Sequence, residues 1–333
     1  MVRPDADIKE TTTMGFFSHN SPLATLAATR SNLLEDRRRN GADLTSPPAL
    51  DRVYKNIEIE LDTQAPILWC WMRQPGKPVV TDDLLFDLKA MHRTMPEILD
   101  ALPADAVKYY AFASRAANTY SLGGDLAFFA DSVRTGNREA IHAYAHRCID
   151  VLAQHVVAFN RPLITMALVQ GDALGGGFET ALSCDLIVAE RSAKMGLPEI
   201  LFNLFPGMGA YSFLSRKLGP VEATRLITEG SVHTAEKLHE IGLVDVLAND
   251  GEGVYALREY VKQNQRWHNA HVALRQAKRR VNPVTEQELR EVVDIWVDAV
   301  FRLTDADLKR MGRLTAAQER RRQAAQPQVV AAE

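Results

Sequence analysis

Short apolar runs and helical stripes alternate along most of this chain. Residues 57–61, 67–72, 109–114, 163–170, 185–189 and 243–247 are brief runs rich in β-branched and aromatic side chains, which predicts strands. Between them, residues 82–99 place Leu85, Leu88, Met91, His92 and Met95 at helical spacing, which predicts a helix. Residues 138–159 predict a second long helix, and 221–228 and 234–241 predict shorter ones. From Val254 onward the pattern is helical only. The whole reads as an α/β body followed by a helical C-terminal region, with no internal sequence repeat.

Both ends depart from this pattern. Residues 1–50 are polar, carry the charge run Glu35-Asp36-Arg37-Arg38-Arg39 and break at Ser46-Pro47-Pro48. They read as a poorly ordered extension, with the arginines on a solvated tail. A core over 51–250, a helical region over 251–322 and a short tail over 323–333 complete the expected organisation.

Composition narrows the function classes. Of 333 residues, 46% are apolar, enough for an ordinary globular core, and a net charge of −3 gives no reason to expect nucleic acid or an anionic membrane surface. No apolar run reaches a membrane span, and the N-terminus lacks a signal-peptide pattern. The three cysteines, Cys70, Cys148 and Cys184, are odd in number and widely spaced, which suits a reducing compartment and a cytoplasmic protein. Cys184 is expected to be a small buried apolar residue rather than a reactive thiol.

The candidate chemistry lies in two glutamates. Glu179 ends the run Gly175-Gly176-Gly177-Phe178-Glu179, and Glu199 follows Pro198 twenty residues later. A strand-like run over 185–191 separates them, so both carboxylates can return to one cleft. Two carboxylates facing one substrate can take a proton from carbon and deliver one to a leaving group. Each alone has a structural reading. Glu179 could be a helix N-terminal carboxylate, and Pro-Glu is a common helix start.

Glycines supply the second half of the pattern. Tyr120-Ser121-Leu122-Gly123-Gly124-Asp125-Leu126 follows the 109–114 strand, and the triple glycine follows the 163–170 strand. Each precedes a helix, where free backbone N–H groups can hold an anion. Two such cradles, each at a strand's C-terminal end, suit a two-donor oxyanion hole. Neither has dinucleotide-fingerprint spacing, and there is no phosphate loop with its lysine. His142 and His146, four apart, share a helix face, but no third ligand is evident, so a surface or half-buried pair is expected and no metal. Ser183 and Ser215 lie in no nucleophile-elbow sequence.

With these motifs the chain resembles the enoyl-CoA hydratase/isomerase, or crotonase, superfamily over about residues 53–250. The resemblance implies a spiral of ββα units with C-terminal helices at a trimer interface, Glu179 and Glu199 as the catalytic carboxylates, and Gly124 and Gly176 N–H as the oxyanion hole. It implies no cofactor, the substrate being carried on CoA or acyl carrier protein, and a homotrimer or dimer of trimers.

Four segments are similar to the bacterial diffusible signal factor synthases: Phe202 to Phe213, Ile295 to Asp298, Met311 to Leu314 and Leu122 to Leu126. That resemblance implies dehydration of 3-hydroxyacyl-acyl carrier protein to the cis-2-enoyl thioester, then hydrolysis to a free cis-2-unsaturated acid for quorum sensing. The competing readings are an ordinary enoyl-CoA hydratase of fatty-acid degradation and a crotonase-fold protein regulating a partner such as a sensor kinase. The presence of both glutamates weakens the last. For the acyl pocket, Leu174 is expected at the thioester end. Trp296, from an apolar stripe with Val292, Val293, Val300 and Phe301, and Leu314 are expected as walls.

Overall fold

The computed structural model describes residues 50 and 52–325; the expected N-terminal extension, apart from Leu50, and the last eight residues lie outside the described residues. Among the described residues ten strands form two sheets. The larger takes β1 (Ile57–Leu61), β2 (Ile67–Met72), β3 (Tyr109–Ser114), β5 (Ile164–Val169), β7 (Leu186–Glu190) and β10 (Val246–Ala248) in that spatial order. Within this sheet, among the described residues, only the β1–β2 pair is antiparallel. The smaller sheet is β4 (Thr119–Ser121), β6 (Asp172–Leu174), β8 (Lys194–Gly196) and β9 (Val232–Thr234).

The chain builds these sheets by repetition. Each of β3, β5 and β7 crosses the large sheet, turns, and gives a three-residue strand to the small one as β4, β6 and β8. Helices or turns then carry the chain back. The inner strands β2, β3, β5 and β7 are buried almost throughout, as expected for strands covered on both faces, so they read as near-continuous apolar runs. The small-sheet strands are too short for an alternating pattern to register, and sequence patterning finds none of the four.

Helix α1 (Asp82–Ala101) starts where Thr81 Oγ1 accepts from Leu84 N–H, and buries Leu84, Leu85, Leu88, Met91, Met95 and Ile98 against the core. Helix α2 (Leu126–Thr135) is capped by Asp125, and α3 (Arg138–Val156) by Asn137. The sequence pattern runs α3 on to Phe159, but Ala158, Phe159 and Asn160 have positive φ and end the α-helix at Val156. Arg147 of α3 makes a bidentate pair with Asp82 of α1.

Beyond the short α4 (Gly176–Leu182) come α5 (Ala210–Leu218), α6 (Pro220–Glu229), α7 (Ala235–Glu240), α8 (Gly253–Asn264), α9 (His268–Val281), α10 (Glu286–Val300) and α11 (Asp305–Ala325). Helix α10 packs on α3 with Leu289, Val293, Trp296, Val297 and Val300 buried. Helix α11 begins at Thr304–Asp307, where Asp307 accepts from Thr304 and from Asn203 Nδ2. That contact ties α11 to the turn that carries Glu199. Among the described residues no helix is long and apolar enough to cross a membrane.

Candidate active site

Both glutamates line one cavity, together with Gly123, Gly124, Gly175 and Gly176. The route by which each arrives follows from local structure. Glu179 is the fourth residue of α4, whose first turn closes with Glu179 N–H donating to Gly175 O at 3.0 Å. Gly177 lets that helix approach β4: a Cβ there would stand 2.3 Å from Ser121 O. Glu199 stands in a 3₁₀ turn (Pro198–Phe202) that Pro198 opens and Asn203, at φ 62°, closes.

The two cradles meet. A Cβ on Gly123 would lie 3.0 Å from Gly176 N, and one on Gly176 would lie 3.7 Å from Gly124 N. Gly176 is the first residue of α4, so its N–H has no carbonyl partner within the helix. The structure therefore brings Gly124, Gly176, Glu179 and Glu199 together, and adds Trp296 and Leu314 to the same cavity wall.

Leu174 is the exception. It is buried in β6 but is not among the residues lining the cavity. Its carbonyl is what meets the cradle: a Cβ on Gly123 would stand 2.7 Å from Leu174 O. Adjacency in sequence to a glycine cradle does not aim a strand side chain at the ligand.

The carboxylates are in unlike surroundings. Glu179 is fully buried, and its Oε1 accepts from Ala210 N–H at 2.9 Å. Burial, and then the neighbouring Glu199 charge, hold its carboxyl well above the usual range, against the opposing Ala210 and Met208 N–H groups. Glu199 is part-exposed as a residue, yet its Oε2 is enclosed without a protein partner. Burial pushes its carboxyl up to about 7. The three cysteines are free and buried, as expected of Cys184, and burial pushes Cys70 and Cys148 up to about 12, so both are thiols at neutral pH.

Away from the glutamates the cavity turns apolar. Met72, Leu84, Leu85, Leu88, Phe112, Val151 and Leu152 line it from the large sheet, α1 and α3. Phe129 and Trp296 meet edge-to-face at 5.3 Å across the α2 side. On the outer side a second pocket shares Leu122, Gly124 and Leu126 with it and is lined by Lys55, Lys77, Gln74 and Thr315. Of the α1 wall residues, Leu85 and Leu88 were legible in the sequence only as part of a core stripe, and the Ala210 contact to Glu179 carried no sequence signal.

Paired strands feeding two sheets in turn, with two carboxylates and two glycine cradles at one cavity, define an α/β crotonase-like fold with a largely helical C-terminal region. The chain belongs to the enoyl-CoA hydratase/isomerase family, whose model matches residues 94–325. It is 28% identical to crotonyl-CoA hydratase of Syntrophomonas wolfei over 275 residues, 81% of this chain and 97% of that one. It is 40% identical to 2,3-dehydroadipyl-CoA hydratase of Escherichia coli K12 over 131 residues, which is 39% of this chain and 51% of that protein. The match thus spans about half the length of the latter relative.

Among solved structures, enoyl-CoA hydratase from Bacillus halodurans superposes with a TM-score of 0.64 at 21% identity, covering 78% of this chain and 100% of the other. Pseudomonas aeruginosa DspI does so with a TM-score of 0.58 at 24% identity, covering 81% and 97%. These likenesses carry the fold.

Proposed function

We propose that the chain interconverts enoyl and 3-hydroxyacyl thioesters, with Glu199 and Glu179 as the base and acid. The observation that supports it is the pairing of two carboxyls, both raised above the usual range by burial, in the cavity that also holds both glycine cradles. The relatives, all named as CoA hydratases or related proteins, favour a CoA ester.

In the dehydration direction, the thioester oxygen accepts hydrogen bonds from Gly124 and Gly176 N–H. Ionised Glu199 takes the proton from C2. The electron pair moves onto the thioester oxygen, where the two donors stabilise it; one such donor is typically worth ~10²–10³ in rate. The pair then returns to form the C2–C3 double bond as the C3–O bond breaks. Protonated Glu179 supplies a proton to the departing hydroxyl, which leaves as water. Hydration is the reverse. Glu199, pushed up to about 7, is available as a base at neutral pH, and the burial that raises Glu179 favours its protonated form, which the acid role needs. The acyl chain lies along the apolar reach between α1 and α3, and the carrier arm along the outer pocket with Lys55 and Lys77.

A second reading, the signal factor synthase that also releases the free acid, is favoured by one observation. The four segments that resemble those enzymes converge on this cavity: Leu122 and Gly124, then Phe202, Leu204 and Met208, then Trp296, then Leu314 all line it. In that reading a glutamate-activated water attacks the same polarised carbonyl, the carrier thiol leaves, and a cis-2-enoic acid is the product. Carrier preference, double-bond geometry, any sensor-kinase partner and cytoplasmic placement belong to this proposal.

The deciding experiment offers the pure protein 3-hydroxydodecanoyl-CoA and the same acyl group on acyl carrier protein, with products identified by mass spectrometry and gas chromatography. A trans-2-enoyl-CoA with no free acid supports the ordinary hydratase. A free cis-2 acid from the carrier protein supports the synthase. No turnover of either, in either direction, overturns both.

A further inference from the structure

His142 and His146 sit one turn apart on α3, and their rings stack with centroids 4.1 Å apart. Sequence alone offers them no third ligand. The fold supplies one from α10: His142 Nε2 lies 3.2 Å and His146 Nε2 2.7 Å from the same oxygen, Asp294 Oδ1. The three ligand atoms lie within 4.8 Å of one another. The His142 and Asp294 side chains are about half exposed, so an ion can reach them from solvent.

We propose that His142, His146 and Asp294 form a zinc-binding site that bridges α3 and α10. Two imidazoles and one carboxylate are a donor set that suits zinc, with a fourth position left for water. Zinc–ligand bonds of ~2.0–2.1 Å at a tetrahedral angle put neighbouring donors about 3.3 Å apart. The observed 3.2 Å needs no change, and the 2.7 Å contact needs a small opening.

One group must yield. Arg290 Nη1 lies 3.0 Å from His146 Nδ1, and in the ion-free state it can donate there. Ligation through Nε2 puts the ring proton on Nδ1, and this contact is then lost. Arg290 keeps its bonds to Asp150 and Glu286, so it stays paired. Asp294 precedes Trp296 by two residues on α10, so the bridge would tie the helix that walls the acyl cavity to the helix that floors it.

Chelator-stripped full-length protein titrated calorimetrically with zinc chloride tests this. One equivalent is expected to bind, with Asp294→Asn and the double variant His142→Gln/His146→Gln each weakening affinity at least about tenfold, since even outer-shell partners cost 10–100-fold. Circular dichroism checks that the variants fold; His142 and Asp294 are exposed and His146 is part-buried, all outside the apolar core. Cobalt(II) in place of zinc should give visible bands without a sulfur charge-transfer band. Absence of stoichiometric binding, equal binding by wild type and both variants, or a sulfur band from a cysteine site overturns the proposal.

Discussion

Gly175 and Glu199 fit together only because Gly175 has no side chain. A Cβ at Gly175 would stand 2.4 Å from Glu199 Oε1, and the residue has φ +52°, which favours glycine. Gly175→Ala is expected to move the Glu199 carboxylate and lower kcat by more than ~10-fold with KM little changed, because the carboxylate acts on the reacting carbon rather than on binding. Steady-state kinetics on a medium-chain 3-hydroxyacyl thioester checks this. Wild-type kcat would remove Glu199 from the reaction.

Glu179→Gln and Glu199→Gln are each expected to cut dehydration by at least ~10², since each loses its proton-transfer group while keeping shape. The Ala210 N–H contact to Glu179 can persist with a glutamine oxygen, so the fold should hold. Near-wild-type turnover by either variant, measured on protein verified by circular dichroism, would contradict the two-carboxylate reaction.

The same carboxyls set the pH dependence. For dehydration, kcat/KM should fall as pH drops below about 7, where Glu199 takes up its proton. Stability carries the opposite signature. An unfolded glutamate ionises near ~4.3, whereas folded Glu199 holds its proton to about 7. Below ~4.3 both states are protonated and nothing is lost. Through the window up to about 7 the unfolded chain ionises first, so stability declines, on the order of 3 kcal/mol in all, and then levels. Glu199→Gln should therefore raise Tm by an increment that grows from pH 4.5 to 7 and is constant above. A Tm increment independent of pH would place the Glu199 shift elsewhere.

Gly176→Pro should lower turnover by ~10²–10³ with the fold kept. Gly176 is the first residue of α4, a position where proline's fixed φ suits the helix; the change removes the proposed donor N–H, and circular dichroism separates that loss from the strain the ring puts on Gly175. Full activity in a folded variant would exclude that donor.

Leu314→Ala should lose more activity on twelve-carbon than on four-carbon thioesters, each buried methylene being worth about 0.8 kcal/mol. Trp296→Ala should show the same trend with some loss of stability, because Trp296 is buried and packs over Gly207, where a Cβ would stand 2.2 Å from its Cγ. Equal losses at all chain lengths would return both residues to the core. The homotrimer implied by the resemblance is checked by light scattering at micromolar concentration; a monomer contradicts it.

Much of this was written into local sequence. The strands β1, β2 and β3 match their predicted ranges residue for residue; β2 and β3 are buried on both faces and so read as continuous apolar runs, while β1 alternates Ile and Glu with one face toward solvent. Glu179, Glu199 and the glycines stood out because their spacing and residue types are unusual even without a fold. The strands β4, β6, β8 and β9 were invisible, since three residues are too few for any period. What the tertiary structure alone decided was convergence. It left Leu174 out of the cavity lining, brought Trp296 and Leu314 in from beyond residue 290, and set Asp294 against His142 and His146 across more than a hundred residues. Side-chain direction and long-range contact depend on how helices pack, and helix packing is a property of the whole core rather than of any window along the chain.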